Sequence, residues 1–152
     1  SQFNRRQNEG KVKLDSGFNE KVALLKFYPG QNPDILEYYA QKYEGLVIEV
    51  AGLGHVSPSE SRNNWIPKIK KAIDNGLVIC AAPQTLQGRL DPLVYSNGRE
   101  LMKAGVIFLE DMLPETAFVK LGWVLSHKEW RSKISEKMLE NFSGEINPRL
   151  EE

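Results

Sequence analysis

The stretch Leu-Val-Ile-Glu-Val-Ala at residues 46–51 is one of three nearly continuous apolar runs in this chain. The others cover residues 22–28 and 77–82, and a shorter run follows at 106–109. Runs rich in Val, Ile and Leu are typical of strands that are buried on both faces of a parallel sheet. Their starts lie about thirty residues apart, which is the length of a βαβ unit. The sequence therefore predicts an α/β fold with an open, parallel, four-stranded sheet.

Amphipathic patterns predict the helices that flank this sheet. Apolar side chains recur on one helical face over residues 35–43 and again over 65–73, where Pro67 fits only in a first turn and Gly76 suits the position past the end. Two further patterns, over 114–125 and 130–142, predict C-terminal helices. Residues 83–97 show little periodicity and are predicted to form a long loop, a feature that is usually functional or disordered.

Composition excludes several functional classes. The chain carries 20 basic and 20 acidic residues, so it has no charge excess that would favour nucleic acid or an anionic membrane. Its apolar runs are shorter than the ~20 residues of a membrane-spanning helix, and no signal peptide opens it, so we expect a cytoplasmic protein with no membrane partner. Cys80 is the only cysteine and lies inside an apolar run, which predicts a core position.

The chain divides into three predicted segments. Residues 1–19 are polar and are predicted to be a linker or domain-entry segment, residues 20–144 form the α/β domain, and residues 145–152 form a C-terminal tail.

The loop after the second run is the first candidate site, because ligands of open parallel sheets bind at the carboxyl ends of the strands. It reads Gly52-Leu53-Gly54-His55-Val56-Ser57, which approaches a dinucleotide-binding fingerprint. Ser57 replaces the third glycine, however, and the next strand lacks the acid that would bind a ribose. The alternative is that Gly52 and Gly54 simply permit a tight turn with positive φ. His55 lies at the mouth of this turn, where its imidazole could hydrogen-bond a carboxylate or carbonyl of a substrate. The alternative is a side chain without a binding role that is exposed to solvent or hydrogen-bonded locally.

The loop at 83–97 is the second candidate, since its amide, hydroxyl and phenol groups suit a polar amide substrate or a subunit interface. Glu110 and Asp111, after the fourth run, are either an acid and base pair or favourable partners of the N-terminal dipole of the next helix. His127 is predicted to cap the last helix or to face water. The sequence contains no Gly-x-Ser-x-Gly elbow, phosphate loop or metal-ligand spacing.

Several motifs together resemble the C-terminal half of the L-asparaginase-like amidohydrolases, and in particular the D subunits of archaeal glutamyl-tRNA(Gln) amidotransferases. They are Gly52-Leu53-Gly54-His55, Gln84-Thr85-Leu86, Gly88-Arg89, Val94-Tyr95, Gly98-Arg99 and the stretch at 109–121. The resemblance extends over most of the chain and implies the second, smaller domain of the L-asparaginase fold.

The resemblance also implies a homodimer in which loops of this domain complete the active site of the neighbouring subunit. The residues that it assigns to this role are Gly52, Gly54, His55, Gln84, Thr85 and Tyr95. Bacterial asparaginases typically have Asn where this chain has His55. The family's catalytic threonines belong to an N-terminal domain marked by Gly-Thr-Gly-Gly-Thr and His-Gly-Thr-Asp motifs, and neither string occurs here. The isolated chain is therefore expected to contain no catalytic residue and to be inactive.

The implied reaction is attack of a threonine on the side-chain amide of glutamine or asparagine, which releases ammonia. The ammonia would serve the conversion of Glu-tRNA(Gln) to Gln-tRNA(Gln) by a partner subunit, a kinase that binds tRNA and uses ATP and Mg. No cofactor or metal is implied for this chain. The alternatives are the C-terminal domain of a free-standing cytoplasmic L-asparaginase and a non-catalytic dimerisation or nucleotide-binding module.

Overall fold

The computed structural model describes residues 13–58 and 60–147. Within them, four parallel strands pair in chain order: β1 (Val22–Lys26), β2 (Gly45–Val50), β3 (Val78–Pro83) and β4 (Ile107–Phe108). In this register, Ile48 of β2 lies between Leu25 and Ala81. The predicted α/β class and four-stranded parallel sheet are confirmed.

Helices cover both faces of the sheet. Each of the first three strands is followed by a helix on the same face: α1 (Ile35–Lys42), α2 (Ile66–Asp74) and α3 (Ser96–Ala104). The opposite face packs against α4 (Pro114–Ser126) and α5 (Ile134–Leu139), which are joined by a 3₁₀ turn at Lys128–Lys133. We call these two sides the α1–α3 face and the α4 face.

Alternation along the strands divides the core between the two faces. Ile48 and Ile79 point to the α1–α3 face, where Trp65 is fully buried among them. Val47 and Cys80 point to the α4 face. Cys80 is fully buried, as predicted, and this burial raises the pKa of its thiol to about 12.

Helix α2 begins and ends at the predicted proline and glycine. Pro67 lies in the first turn of α2, and Gly76 follows its end with φ of 96°. The Gly76 N–H donates to the carbonyl of Ile73 at 2.8 Å. Both predictions are confirmed. Proline fits a first turn because its missing N–H needs no partner there, and glycine fits the position past the end because it adopts positive φ without strain.

Helix α3 is not predicted by the sequence, which assigns its first residues to a long loop. Its buried positions are Asn97, Gly98, Leu101 and Ala104, so only half of the buried stripe is apolar. The predicted single helix over 130–142 is also wrong at both ends. It opens as a 3₁₀ turn, and α5 ends at Leu139 because Asn141 Oδ1 accepts the Gly144 N–H at 2.7 Å to close a turn.

His127 does not face water, contrary to one of its two predicted roles. Its ring stacks on Trp130 with centroids 3.9 Å apart, and its side chain is 14% exposed. Nδ1 donates to the carbonyl of Trp123 at 2.8 Å, and Nε2 lies 3.0 Å from the Asp15 carboxylate. His127 therefore caps the end of α4 rather than the start of a later helix.

Residues near both ends of the described range pack on α4. The Asn19 N–H donates to the carbonyl of Gly122 at 2.9 Å, and Ile146 is buried. The segment boundaries at 19 and 144 stay predictions, and residues 1–12 and 148–152 of the outer segments lie outside the described residues. Within 13–58 and 60–147, no helix is long and apolar enough to cross a membrane.

Candidate functional site

The turn that leaves β2 is closed by its own backbone. The Ala51 N–H donates to the carbonyl of His55 at 2.9 Å, and the His55 N–H donates back to Ala51 at 2.8 Å. Gly52 and Gly54 have φ of 53° and 119°, so the interpretation that they permit a tight turn is confirmed. A Cβ on Gly54 would lie 2.6 Å from the ring of Phe108. Both conformation and space therefore require glycine at position 54.

The segment that precedes α3 lies against this turn. The Asp91 N–H donates to the carbonyl of Leu53 at 2.9 Å, and the Val56 N–H donates to Asn97 Oδ1 at 3.1 Å. The ring centroids of His55 and Tyr95 are 4.9 Å apart, with the rings edge to face. The structure therefore brings together two predicted site residues that come from different loops.

The His55 and Tyr95 pair has polar groups available for a ligand. Tyr95 is 54% exposed, and His55 is partly exposed. Neither imidazole nitrogen makes a hydrogen bond to a residue that the structure describes. An imidazole and a phenol at the carboxyl edge of a parallel sheet can donate to a carboxylate or an amide carbonyl.

Exposed apolar side chains accompany these polar groups in the same two loops. They are Leu53, Leu86, Leu93 and Val94. Exposed apolar side chains mark a contact surface where they form a contiguous patch.

Gln84 and Thr85, at the end of β3, have different surroundings. Gln84 Nε2 donates to the carbonyl of Phe27 at 2.5 Å and to that of Glu49 at 2.9 Å. Its amide nitrogen therefore ties together the ends of β1, β2 and β3. Thr85 is exposed. Their contact with a substrate stays a prediction, as it does for Gly52, Gly54, His55 and Tyr95.

Glu110 and Asp111 flank an arginine from the loop after β3. The guanidinium of Arg89 lies 3.5 Å from the Glu110 carboxylate and 3.8 Å from that of Asp111, and it donates to the carbonyl of Asn147 at 2.5 Å. Asp111 also accepts hydrogen bonds from the backbone and side chain of Asn147. These contacts hold the loop after β3 against the segment at Asn147, which is a structural use of two residues that the sequence offers as an acid and base pair.

Asn97 lies in the second candidate loop and Gly98 in the Gly98-Arg99 motif, but the sequence assigns no individual role to either residue. Asn97 is 7% exposed and holds the His55 turn, while a Cβ on Gly98 would lie 2.6 Å from the carbonyl oxygen of Pro92. An Asn-Gly pair is the usual signal of a turn. Here it opens a helix, so its local signal points to the wrong structure.

The chain belongs to the glutaminase/asparaginase C-terminal domain family, whose profile matches residues 21–138. Its curated relatives include the D subunits of the glutamyl-tRNA(Gln) amidotransferases from Thermococcus kodakarensis and Sulfurisphaera tokodaii. The identities are 50% over 145 residues and 47% over 137 residues, and the alignments cover 95% and 90% of this chain. The resemblance drawn from the motifs is confirmed.

A solved structure shows the same fold. The thermostable L-asparaginase from Thermococcus kodakarensis matches 95% of this chain with a TM-score of 0.85 at 28% identity, and the match covers 43% of that protein. The chain spans 32% of the length of the Thermococcus amidotransferase subunit and 30% of that from Sulfurisphaera. The second, smaller domain of the asparaginase fold is therefore what these residues form.

Proposed function

We propose that this chain is the C-terminal domain of an asparaginase-like amidotransferase subunit, which releases ammonia from glutamine or asparagine for the conversion of Glu-tRNA(Gln) to Gln-tRNA(Gln). The observation that carries the proposal is 50% identity to the amidotransferase subunit of Thermococcus kodakarensis, against 28% to the L-asparaginase of the same organism. Because both relatives come from one organism, the difference separates two functions rather than two lineages.

In this proposal, the domain supports a homodimer and completes the active site of the neighbouring subunit. The nucleophilic threonines come from an N-terminal asparaginase domain, which is not part of this sequence. His55 donates a hydrogen bond to the carboxylate or carbonyl of the substrate, and Tyr95 supports it from the adjacent segment. The exposed apolar side chains of the same loops support this assignment, because a site shared between subunits needs a contact surface around it.

The partner that uses the ammonia is a kinase and tRNA-binding subunit with ATP and Mg. In this proposal, the partner subunit binds both ATP and Mg, and tRNA reaches this chain through the complex. Such a reaction takes place in the cytoplasm, where tRNA is aminoacylated.

A domain exchange tests the proposal. The matching C-terminal third of the Thermococcus kodakarensis amidotransferase subunit is replaced by this chain, to which it is 50% identical. We expect this amidotransferase chimera to release ammonia from an amide substrate and, with its partner subunit, to form Gln-tRNA(Gln). The chain alone should release no ammonia from either amide.

Two outcomes count against the proposal. A folded chimera that hydrolyses asparagine freely but supports no Gln-tRNA(Gln) formation would favour the free-standing asparaginase, the alternative suggested by the TM-score of 0.85. A folded dimeric chimera without amidohydrolase activity would contradict both. Gel filtration and a thermal melt show whether the chimera is folded.

The role of His55 is tested in the same chimera. Replacing His55 with Ala should lower kcat/KM for amide hydrolysis about ten- to a hundredfold, the effect of losing one hydrogen bond to a charged group. The melting temperature should change little, because the ring of His55 contacts Tyr95 at a 54% exposed position and its imidazole makes no hydrogen bond to the described residues. Thr85→Ala, at an exposed loop position, gives a comparison at the other predicted loop. Unchanged kinetics with unchanged stability would remove His55 from the site.

A further inference from the structure

We infer that Asn97 is a positioning residue that fixes the His55 turn against the start of α3 and thereby sets the geometry of the His55 and Tyr95 pair. Its importance for catalysis rests on the proposed function, whereas its structural role does not. The central observation is that Asn97 Oδ1 accepts the Val56 N–H at 3.1 Å in a buried position, although 41 residues separate the two. Val56 directly follows His55, so this bond acts at the exit of the turn.

Asn97 connects both halves of the pair. It lies two residues after Tyr95, while its side chain holds the turn that carries His55. Four further bonds of this turn, from the N–H groups of Ala51, Gly54, His55 and Asp91, join backbone atoms. A substitution at Asn97 therefore removes one side-chain hydrogen bond and leaves the backbone hydrogen bonds of the turn in place.

The base from which Asn97 acts is closely packed. A Cβ on Gly98 would lie 2.6 Å from the oxygen and 2.7 Å from the Cα of Pro92, so the first turn of α3 rests directly on the preceding backbone. The guanidinium of Arg99 also donates to the carbonyl of Leu93 at 2.6 Å. Helix α3 and the segment before it are therefore fixed to each other. Because Asn97 sits on this rigid base, its hydrogen bond determines the position of the turn.

The chemistry of the contact defines a matched pair of substitutions. The turn requires an acceptor, which aspartate supplies and leucine does not. The buried amide nitrogen of Asn97 makes no hydrogen bond to a residue that the structure describes, so its loss in Asn97→Asp breaks no contact within the described residues. Asn97→Leu keeps a similar volume and removes the acceptor. Ser96→Ala, at an exposed neighbouring position, is the control.

Hydrogen exchange in the full 152-residue chain tests the positioning directly. Asn97→Leu should speed exchange of the Val56 amide roughly tenfold relative to the Ile48 amide of β2, since a lost hydrogen bond lowers the free energy of local opening. Asn97→Asp should restore most of the protection, and Ser96→Ala should leave it unchanged. Equal acceleration at Val56 and Ile48 would indicate general destabilisation and would overturn the inference. Unchanged Val56 exchange would overturn it as well.

Kinetics in the amidotransferase chimera test the consequence for the site. Asn97→Leu should raise KM for the amide roughly tenfold with kcat within about twofold, and Asn97→Asp should restore KM. If His55→Ala raises KM but Asn97→Leu does not, the positioning role is wrong. If His55→Ala has no effect while Asn97→Leu still releases the Val56 amide, the positioning stands and the proposed function of His55 fails.

Discussion

The two faces of the sheet are held by different forces. On the α1–α3 face, the contacts with the sheet are apolar, and its ion pairs, such as Lys68 with Asp34, lie at the surface. The α4 face adds a buried ion pair between Lys120 and Glu145, whose side chains are 6% and 7% exposed, and the contact of His127 with Asp15. Stability contributed by the apolar contacts of the first face should therefore be insensitive to pH, whereas that contributed by the buried ion pair and the histidine contact of the second should change with protonation.

The largest effect is expected for Ile79→Ala, on the α1–α3 face. Ile79 is 1% exposed in a central strand, so its truncation should lower the free energy of unfolding by about 2–5 kcal/mol. The loss should be the same at acidic and neutral pH, because no charge is involved. Urea denaturation measures it, with Val119→Ala, at a 57% exposed position of α4, as control. A loss below about 0.5 kcal/mol, the range of surface substitutions, would show that this face does not carry the core.

The same contrast shows what could be predicted from the sequence. The strands, α1, α2 and α4 follow from apolar runs and periodicity, since burial on a regular element leaves a repeating pattern. The tight turn at Gly52 follows from its glycines. The partnership of Glu145 with Lys120, 25 residues away, and that of Asp15 with His127, 112 residues away, leave no local pattern. The contact of Asn97 with Val56 could not be predicted for the same reason, because the two residues lie 41 positions apart.

A smaller effect is expected for Glu145→Gln, on the α4 face. Burial acts to raise the pKa of Glu145, but hydrogen bonds from Lys120 and from the Ser143 and Phe142 N–H groups outweigh it and lower the pKa to about 2. A carboxylate with a lowered pKa stabilises the fold above its ordinary value of 4.5 and loses this contribution as the pH falls toward 2. The substitution should therefore lower the free energy of unfolding by about 3 kcal/mol at neutral pH.

The pH dependence distinguishes a charge effect from lost packing. The difference between the Glu145→Gln variant and the unaltered chain should fall to about half or less near pH 3. At that pH the carboxyl group of the unfolded chain is already protonated, so folding has to release its proton. Urea denaturation at neutral pH and near pH 3 provides the measurement. A difference of the same size at both values would mean that the charge of Glu145 contributes nothing, and that the two faces are more alike than their contacts suggest.

The smallest effect is expected for Asp15→Asn, which weakens the contact between Asp15 and His127 at the end of α4. Burial acts to lower the pKa of His127, but the Trp123 carbonyl and the Asp15 carboxylate outweigh it and raise the pKa, since both ring nitrogens face acceptors. Glu129 acts in the same direction. The hydrogen bond from His127 in turn lowers the pKa of Asp15, so that carboxylate stays charged at mildly acidic pH.

A histidine with a raised pKa contributes stability that is complete below its ordinary value of 6.5 and disappears as the pH rises through the raised value. Asp15→Asn should therefore lower the melting temperature measurably near pH 5.5 and much less near pH 8.5. Asp34→Asn is the matched control on the α1–α3 face. The pKa of its partner Lys68 is raised from 10.5, so the control should give the same small shift at both pH values. If Asp15→Asn behaved as Asp34→Asn does, protonation of His127 would not be linked to folding through Asp15, and this contact would add nothing to the pH sensitivity of the α4 face.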